Sequence, residues 1–178
     1  MFASTSVLTQ AQLAAIGEIA VESAYLDGMV DFLIAQILNI SEEKYYVVSN
    51  GVMLGTKLDI LRNLGLIRLR SKKRKLEWEN IVSQVKHLNS QRTIAIHGYW
   101  QSKHGRKLSD LNKETWILPS GEAQAVHKRG KKKPSILDAQ NLQKLAYDIH
   151  DNRNKLMIFY ANSWMKGSIR ETFIRMAK

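Results

Sequence analysis

Arg92 and His97 join a permanent cation to an imidazole, five positions apart, in the stretch Arg92-Thr93-Ile94-Ala95-Ile96-His97, which continues as Gly98-Tyr99-Trp100. An arginine keeps its charge at any physiological pH and can hold two phosphate oxygens at once. A histidine can take or give a proton near neutrality. The two do not form one face of one helix, because five residues turn a helix through about 500°, or about 140° net. A second copy packed about a two-fold axis would bring two arginines and two histidines into one cleft. The same pair also reads as a surface arginine and a histidine satisfied within the fold.

Other chemistries find little support in the sequence. There is no G-x-x-x-x-G-K-[ST] segment and no G-x-G-x-x-G opening a helix, so phosphate-loop and dinucleotide sites are not expected. The histidines His87, His97, His104, His127 and His150 lack metal-site spacing with carboxylates, and no H-E-x-x-H occurs, so no metal is expected. No G-x-S-x-G elbow is present, and the chain has no cysteine, which removes disulfides, thiol nucleophiles and thiolate ligands. No cofactor is expected. The first residues carry no basic stretch, and the apolar positions that follow are interrupted by Glu18, Glu22, Asp27 and Asp31. The expectation is a cytoplasmic protein with no membrane partner.

The balance of charge points to a polyanion. Lys and Arg number 27 against 16 Asp and Glu, a formal charge of +11, and a field of that sign gathers nucleic acid at a surface. The alternative is that the charge serves solubility alone. Two stretches concentrate it. One is Arg68, Arg70, Lys72, Lys73, Arg74 and Lys75, which reads either as a solvated helix C-terminus or as a phosphate-facing patch. The other lies within 100–134 and includes Lys103, Arg106, Lys107, Lys113, Lys128, Arg129, Lys131, Lys132 and Lys133.

The elements that must position these residues are mainly helical. Apolar residues recur at three- and four-residue spacings from Thr9, a capping residue, to about Asn39. Glu42 to Val48 reads as a connector with at most a turn of helix, and Asn50-Gly51 as a turn. Leu54, Leu58, Leu61, Leu64 and Leu66 mark a second long helix, with Thr56 as a candidate cap. A third runs from Leu76 to His97. Between Trp100 and Pro134 the helical period disappears, and Thr115–Leu118 with Ala123–Val126 around Pro119-Ser120-Gly121-Glu122 predicts a hairpin. Ser135, with Asp138 three residues on, reopens a fourth helix to about Ala161, and Trp164–Met176 predicts a short last one. The length suits one domain spanning 1–178. The expected fold is all-α, a four- to five-helix up-and-down bundle with a small basic β-hairpin insertion at 100–134 between the third and fourth long helices.

Arg92-x4-His97 late in a helix of a small, basic, all-α chain resembles the R-x4-6-H signature of the HEPN superfamily. With Tyr99 it is similar to the R-x4-H-x-Y form of HEPN toxins that pair with minimal nucleotidyltransferases. The resemblance implies a homodimeric, metal-independent endoribonuclease in which His97 transfers protons and Arg92 holds the phosphate, with Thr93 and Tyr99 in support. It implies attack by the RNA 2'-hydroxyl, a role in defence or toxin–antitoxin biology, and in that setting a cognate antitoxin. RNA would be held by Arg68, Arg70, Lys72, Lys73, Arg74 and the bases of the insertion. Thr93 stands where the family commonly has Asn or Asp. The alternative on the same fold is a non-catalytic nucleic-acid or nucleotide-binding module.

Overall fold

The structure, a computed structural model, describes residues 8–97, 99–102, 123–126, 135–136, 138–165, 170–171 and 174–175. It is helical, with five helices among these residues: α1 (Gln10–Leu38), α2 (Glu42–Ser49), α3 (Leu54–Arg68), α4 (Lys72–His97) and α5 (Ala139–Trp164). No helix is long and apolar enough to cross a membrane among the described residues. The chain divides into two compact units, one of Met1–Ala20 with Gln91–Ala146 and the other of Val21–Ser90 with Tyr147–Lys178.

In the first unit α1 begins with a reciprocal cap. The Thr9 N–H donates to Gln12 Oε1 at 2.9 Å, and the Gln12 N–H donates to Thr9 Oγ1 at 3.2 Å, which satisfies two of the donors a helix start leaves open. Gln12, Ala15, Ile19, Ala95, Leu142, Leu145 and Ala146 are its buried helical residues. Three short strands belong to the same unit: β1 (Tyr99–Ser102), β2 (Ala123–Val126) and β3 (Ser135–Ile136). They pair antiparallel in the order β1-β2-β3, with Trp100 opposite Ala125 and Gln124 opposite Ile136. The hairpin expected of Thr115–Leu118 against Ala123–Val126 is therefore not supported. Residues 123–126 pair with 99–102 and 135–136 instead, and Thr115–Leu118 lie outside the described residues.

The start of α5 also moves. Ser135 does not open it but lies in β3, and the helix begins at Ala139. Asp138 takes the capping role, its Oδ1 accepting from the Asn141 N–H at 2.7 Å. The helix runs on to Trp164. The last helix expected over Trp164–Met176 therefore loses its first residue to α5, and most of the remainder lies outside the described residues.

Among the described residues, the second unit holds most of the buried apolar side chains. Leu26, Val30, Leu33, Ile34 and Ile37 form the inner face of α1, at the spacing of one helical stripe. Asn39, with φ of 58°, ends the helix in the left-handed region. The Ile40 N–H returns to Ala35 O and the Asn39 N–H to Gln36 O, so two terminal carbonyls are satisfied. Gly51, with φ of 79°, makes the turn expected at Asn50-Gly51. The connector after α1 is a full helix, α2. Helix α3 begins at Leu54 with Met53 as its N-cap, so Thr56 lies inside the helix and does not cap it. It buries Leu58, Leu61 and Gly65, and α4 buries Trp78, Val82, Val85 and Leu88.

Gly65 explains how α3 meets Trp78. A Cβ there would lie 2.0 Å from the indole Nε1, so only glycine leaves room for the ring. Trp78 is fully buried and donates its indole N–H to Arg62 O at 3.2 Å. Its ring centroid lies 5.3 Å from that of Phe159 and 5.6 Å from that of Trp164, the latter edge-on.

Lys57 is the buried cation of this unit among the described residues, held by Asp27 at 3.1 Å and Asp31 at 2.7 Å. Burial alone lowers an ammonium's pKa, but the hydrogen bonds that Lys57 donates to Asp31 and Asp27, with the charges of those carboxylates, outweigh it and raise Lys57 above its ordinary 10.5. Burial, reinforced by Asp31, raises the Tyr45 phenol above 10.0, and burial raises Tyr160 against the opposing charge of Arg68. All three groups hold their protons more tightly folded than unfolded, so their stabilisation is complete below pH 10 and lost as pH climbs through the raised values. Urea midpoints are therefore expected to be level from pH 8 to about 9.5 and to fall steadily above about pH 10. A midpoint flat through pH 11 would contradict this arrangement.

Candidate active site

Helix α4 carries Arg92 and His97 without a break, and both belong to the first unit. The regular helix keeps the net turn between them at about 140°, so the two side chains leave different faces. Arg92 is half-buried, Ala95 is buried and His97, the last helical residue, is exposed. The Arg92 Nε is shielded from water and has no hydrogen-bond partner among the described residues. A buried donor left unsatisfied costs about 1–3 kcal/mol, and more when it belongs to a charged group. Thr93 is half-buried and already engaged in an interaction of its own. Tyr99 opens β1, its backbone opposite Val126.

The strands give the basic insertion its root. The backbone leaves α4 at His97 and is in register with Ala123–Val126 from Tyr99 onward. The segments closed by β1-β2 and β2-β3 are the ones whose sequence carries Lys103, Arg106, Lys107, Lys128, Arg129, Lys131, Lys132 and Lys133. Those eight side chains lie outside the described residues.

The other basic stretch belongs to the second unit, and its members differ. Arg68, in the last turn of α3, donates its Nη2 to Ile37 O at the end of α1. The Arg74 guanidinium stands 5.3 Å over the Phe159 ring and reaches Glu77 at 3.4 Å. These two have structural work. Arg70, Lys72 and Lys73 are exposed and have no ion pair among the described residues. Lys72 and Lys73 open α4, which starts four residues before the expected Leu76 and has no acid in its first turn. The stretch is thus a helix N-terminus as much as a C-terminus. Cations there oppose the helix dipole by about 0.3–1 kcal/mol each.

A second constellation stands apart from the Arg92–His97 motif. In the second unit Arg153 Nη1 donates to Glu22 Oε2 at 2.9 Å, while its Nη2 lies 3.0 Å from His150 Nδ1. Asn154 Nδ2 is 3.0 Å from the other ring nitrogen, and the Arg153 guanidinium stands 5.4 Å from the centre of the Tyr25 ring. Unlike Arg92 and His97, His150 and Arg153 share one face of one helix at i, i+3 spacing. That spacing on an expected helix was the signal available. The arginine's charge is already met by Glu22, so the cluster holds α1 and α5 together within this unit.

Comparison with known proteins adds no assignment: no family model, no curated protein and no solved structure matches the chain.

Proposed function

We propose that this protein is a metal-independent endoribonuclease of HEPN type that works as a homodimer in the cytoplasm. The observation that carries the reading is Arg92, a half-buried arginine whose Nε lacks an acceptor among the described residues, set on the same helix end as an exposed His97. An RNA phosphate oxygen or a group from a second copy would supply the missing acceptor. One His97 would take the proton of the 2'-hydroxyl as its oxygen attacks phosphorus. The bond to the 5'-oxygen then breaks, and a second His97 returns a proton to that leaving oxygen. Arg92 would stabilise the charge on the phosphorane between these steps. The products are a 2',3'-cyclic phosphate and a 5'-hydroxyl. Tyr99 and Thr93 would support the site. The setting we infer is defence or a toxin–antitoxin pair, with a cognate antitoxin as partner.

The direct test is RNA incubated with the full chain in EDTA. Cleavage to cyclic-phosphate ends is expected, with DNA of the same sequence untouched because it lacks the attacking hydroxyl. Light scattering should report a dimer at micromolar concentration. Activity that vanishes with chelator, or a monomer that cleaves at full rate, would overturn the reading.

A second reading, a non-catalytic nucleic-acid or nucleotide-binding module, is favoured by Arg70, Lys72 and Lys73, exposed and without ion pairs among the described residues. Binding to single-stranded RNA should then weaken with salt by about 0.7 logarithmic units per phosphate contacted for each decade of salt. Removing Lys72 and Lys73 together is expected to reduce that slope by about 1–2. Binding indifferent to salt would exclude this reading.

A further inference from the structure

We infer that the pocket between α1 and α2 binds a small organic cation, an alkylammonium, independently of RNA. The pocket encloses about 500 Å³ within the second unit, in the range of small-ligand sites. Phe32 from α1 and Tyr45 and Tyr46 from α2 provide its aromatic wall, and no atom lies within 4 Å of where a Cβ on Gly28 would stand. Asp31, Glu42 and Glu43 provide its carboxylates. In a chain of +11 this is a local reversal of sign. Lys57 meets only part of it, since one ammonium faces both Asp27 and Asp31.

One polar atom at the pocket lacks its complement. Asp31 gives Oδ2 to Lys57, while its Oδ1 is buried with no hydrogen-bond partner among the described residues. Tyr45, whose ring belongs to the same wall, is only 6% exposed. The phenol keeps its proton at neutral pH, because burial and the nearby Asp31 carboxylate both oppose its ionisation.

The chemistry of the occupant follows from what each class would meet. An anion would meet three carboxylates. A neutral apolar molecule would leave the Glu42 and Glu43 carboxylates without a countercharge. A metal ion would find mostly aromatic walls, and no cluster able to hold one exists among the described residues. An alkylammonium offers N–H donors to Asp31 and the glutamates, and its charge is attracted to ring faces. Its methylenes suit the apolar wall.

Isothermal titration of the full chain with 1,5-diaminopentane tests this without RNA. Saturable binding is expected, weakened at least tenfold in a Glu42→Gln, Glu43→Gln double variant and in Tyr46→Ala. All three residues are exposed, so folding should persist, and matched thermal melts check that it does. The uncharged isostere 1,5-pentanediol should not bind. Absence of saturable binding at millimolar amine, equal binding of the diol, or unchanged affinity in both variants would each overturn the inference. So would tighter binding of acetyl-lysine methylamide than of the free diamine, which would assign the pocket to a side chain of a partner protein.

Discussion

His97→Ala is expected to abolish RNA cleavage in EDTA while leaving dimerisation and RNA affinity close to those of the parent. A positioned proton donor or acceptor contributes about 10²–10⁴-fold. With a two-fold pair, one substitution removes both the base and the acid, so a fall in kcat of about 10⁴ or more is expected. The stability change should stay within about 0.5 kcal/mol, because His97 is an exposed last residue of α4 that packs into no core. That separation gives the test its force, since a merely structural histidine would affect melting and activity together. Arg92→Lys should fail to restore a rate lost in Arg92→Ala, because an ammonium cannot hold two phosphate oxygens in the planar fork of a guanidinium. A His97→Ala protein that still produces cyclic-phosphate ends would remove His97 from the reaction.

The largest effect on stability is expected at Gly65. Helix propensity alone favours alanine over glycine by about 1 kcal/mol inside a helix. The surroundings of Gly65 reverse that sign. Its Cβ would fall 2.0 Å from Trp78 Nε1 and 2.4 Å from Cε2, so the indole would have to move. Trp78 is fully buried, with Phe159 and Trp164 against it and its N–H committed to Arg62 O. Overpacking of about 1–3 kcal/mol combines with about 1–3 kcal/mol for a stranded indole N–H. Less the helix-propensity gain, Gly65→Ala should therefore lose about 1–5 kcal/mol and lower Tm by about 2–20 °C. Urea unfolding followed by tryptophan fluorescence measures it. In a double-mutant cycle with Trp78→Leu the two losses should be clearly less than additive. An alanine variant as stable as the parent would contradict the contact.

The sequence made the long apolar stripes legible and left the polar starts of helices obscure. Helix α1 was expected from Thr9 to about Asn39 and occupies Gln10–Leu38, because both its stripe and its cap are written in side chains. The start of α4 was expected at Leu76, since Lys72, Lys73 and Lys75 present no apolar residue to a pattern that counts them. Ser135 drew the start of α5 toward it by its residue type, although Asp138 is the residue that caps. Gly65 was invisible for a similar reason: it contributes an absence of side chain, and only Trp78 opposite gives that meaning. At the candidate site the helical spacing predicts that Arg92 and His97 leave different faces. It could not establish that Arg92 Nε would be buried without an acceptor among the described residues.

The division of the chain also constrains the order in which it can mature during synthesis. The second unit takes its first segment from Val21–Ser90 and its second from Tyr147–Lys178. Trp78 is translated long before Phe159 and Trp164, the aromatic neighbours that help cover it, and Glu22 waits 131 residues for Arg153. Until α5 leaves the ribosome, the apolar faces of α1, α3 and α4 in this unit have no complete core to join. Closing contacts of such long sequence separation carries a large entropic cost before any packing repays it, and slows folding accordingly. The interval in which Trp78 lies uncovered is set by the translation of the intervening residues, including the whole basic insertion. The insertion thus acts on folding as a delay.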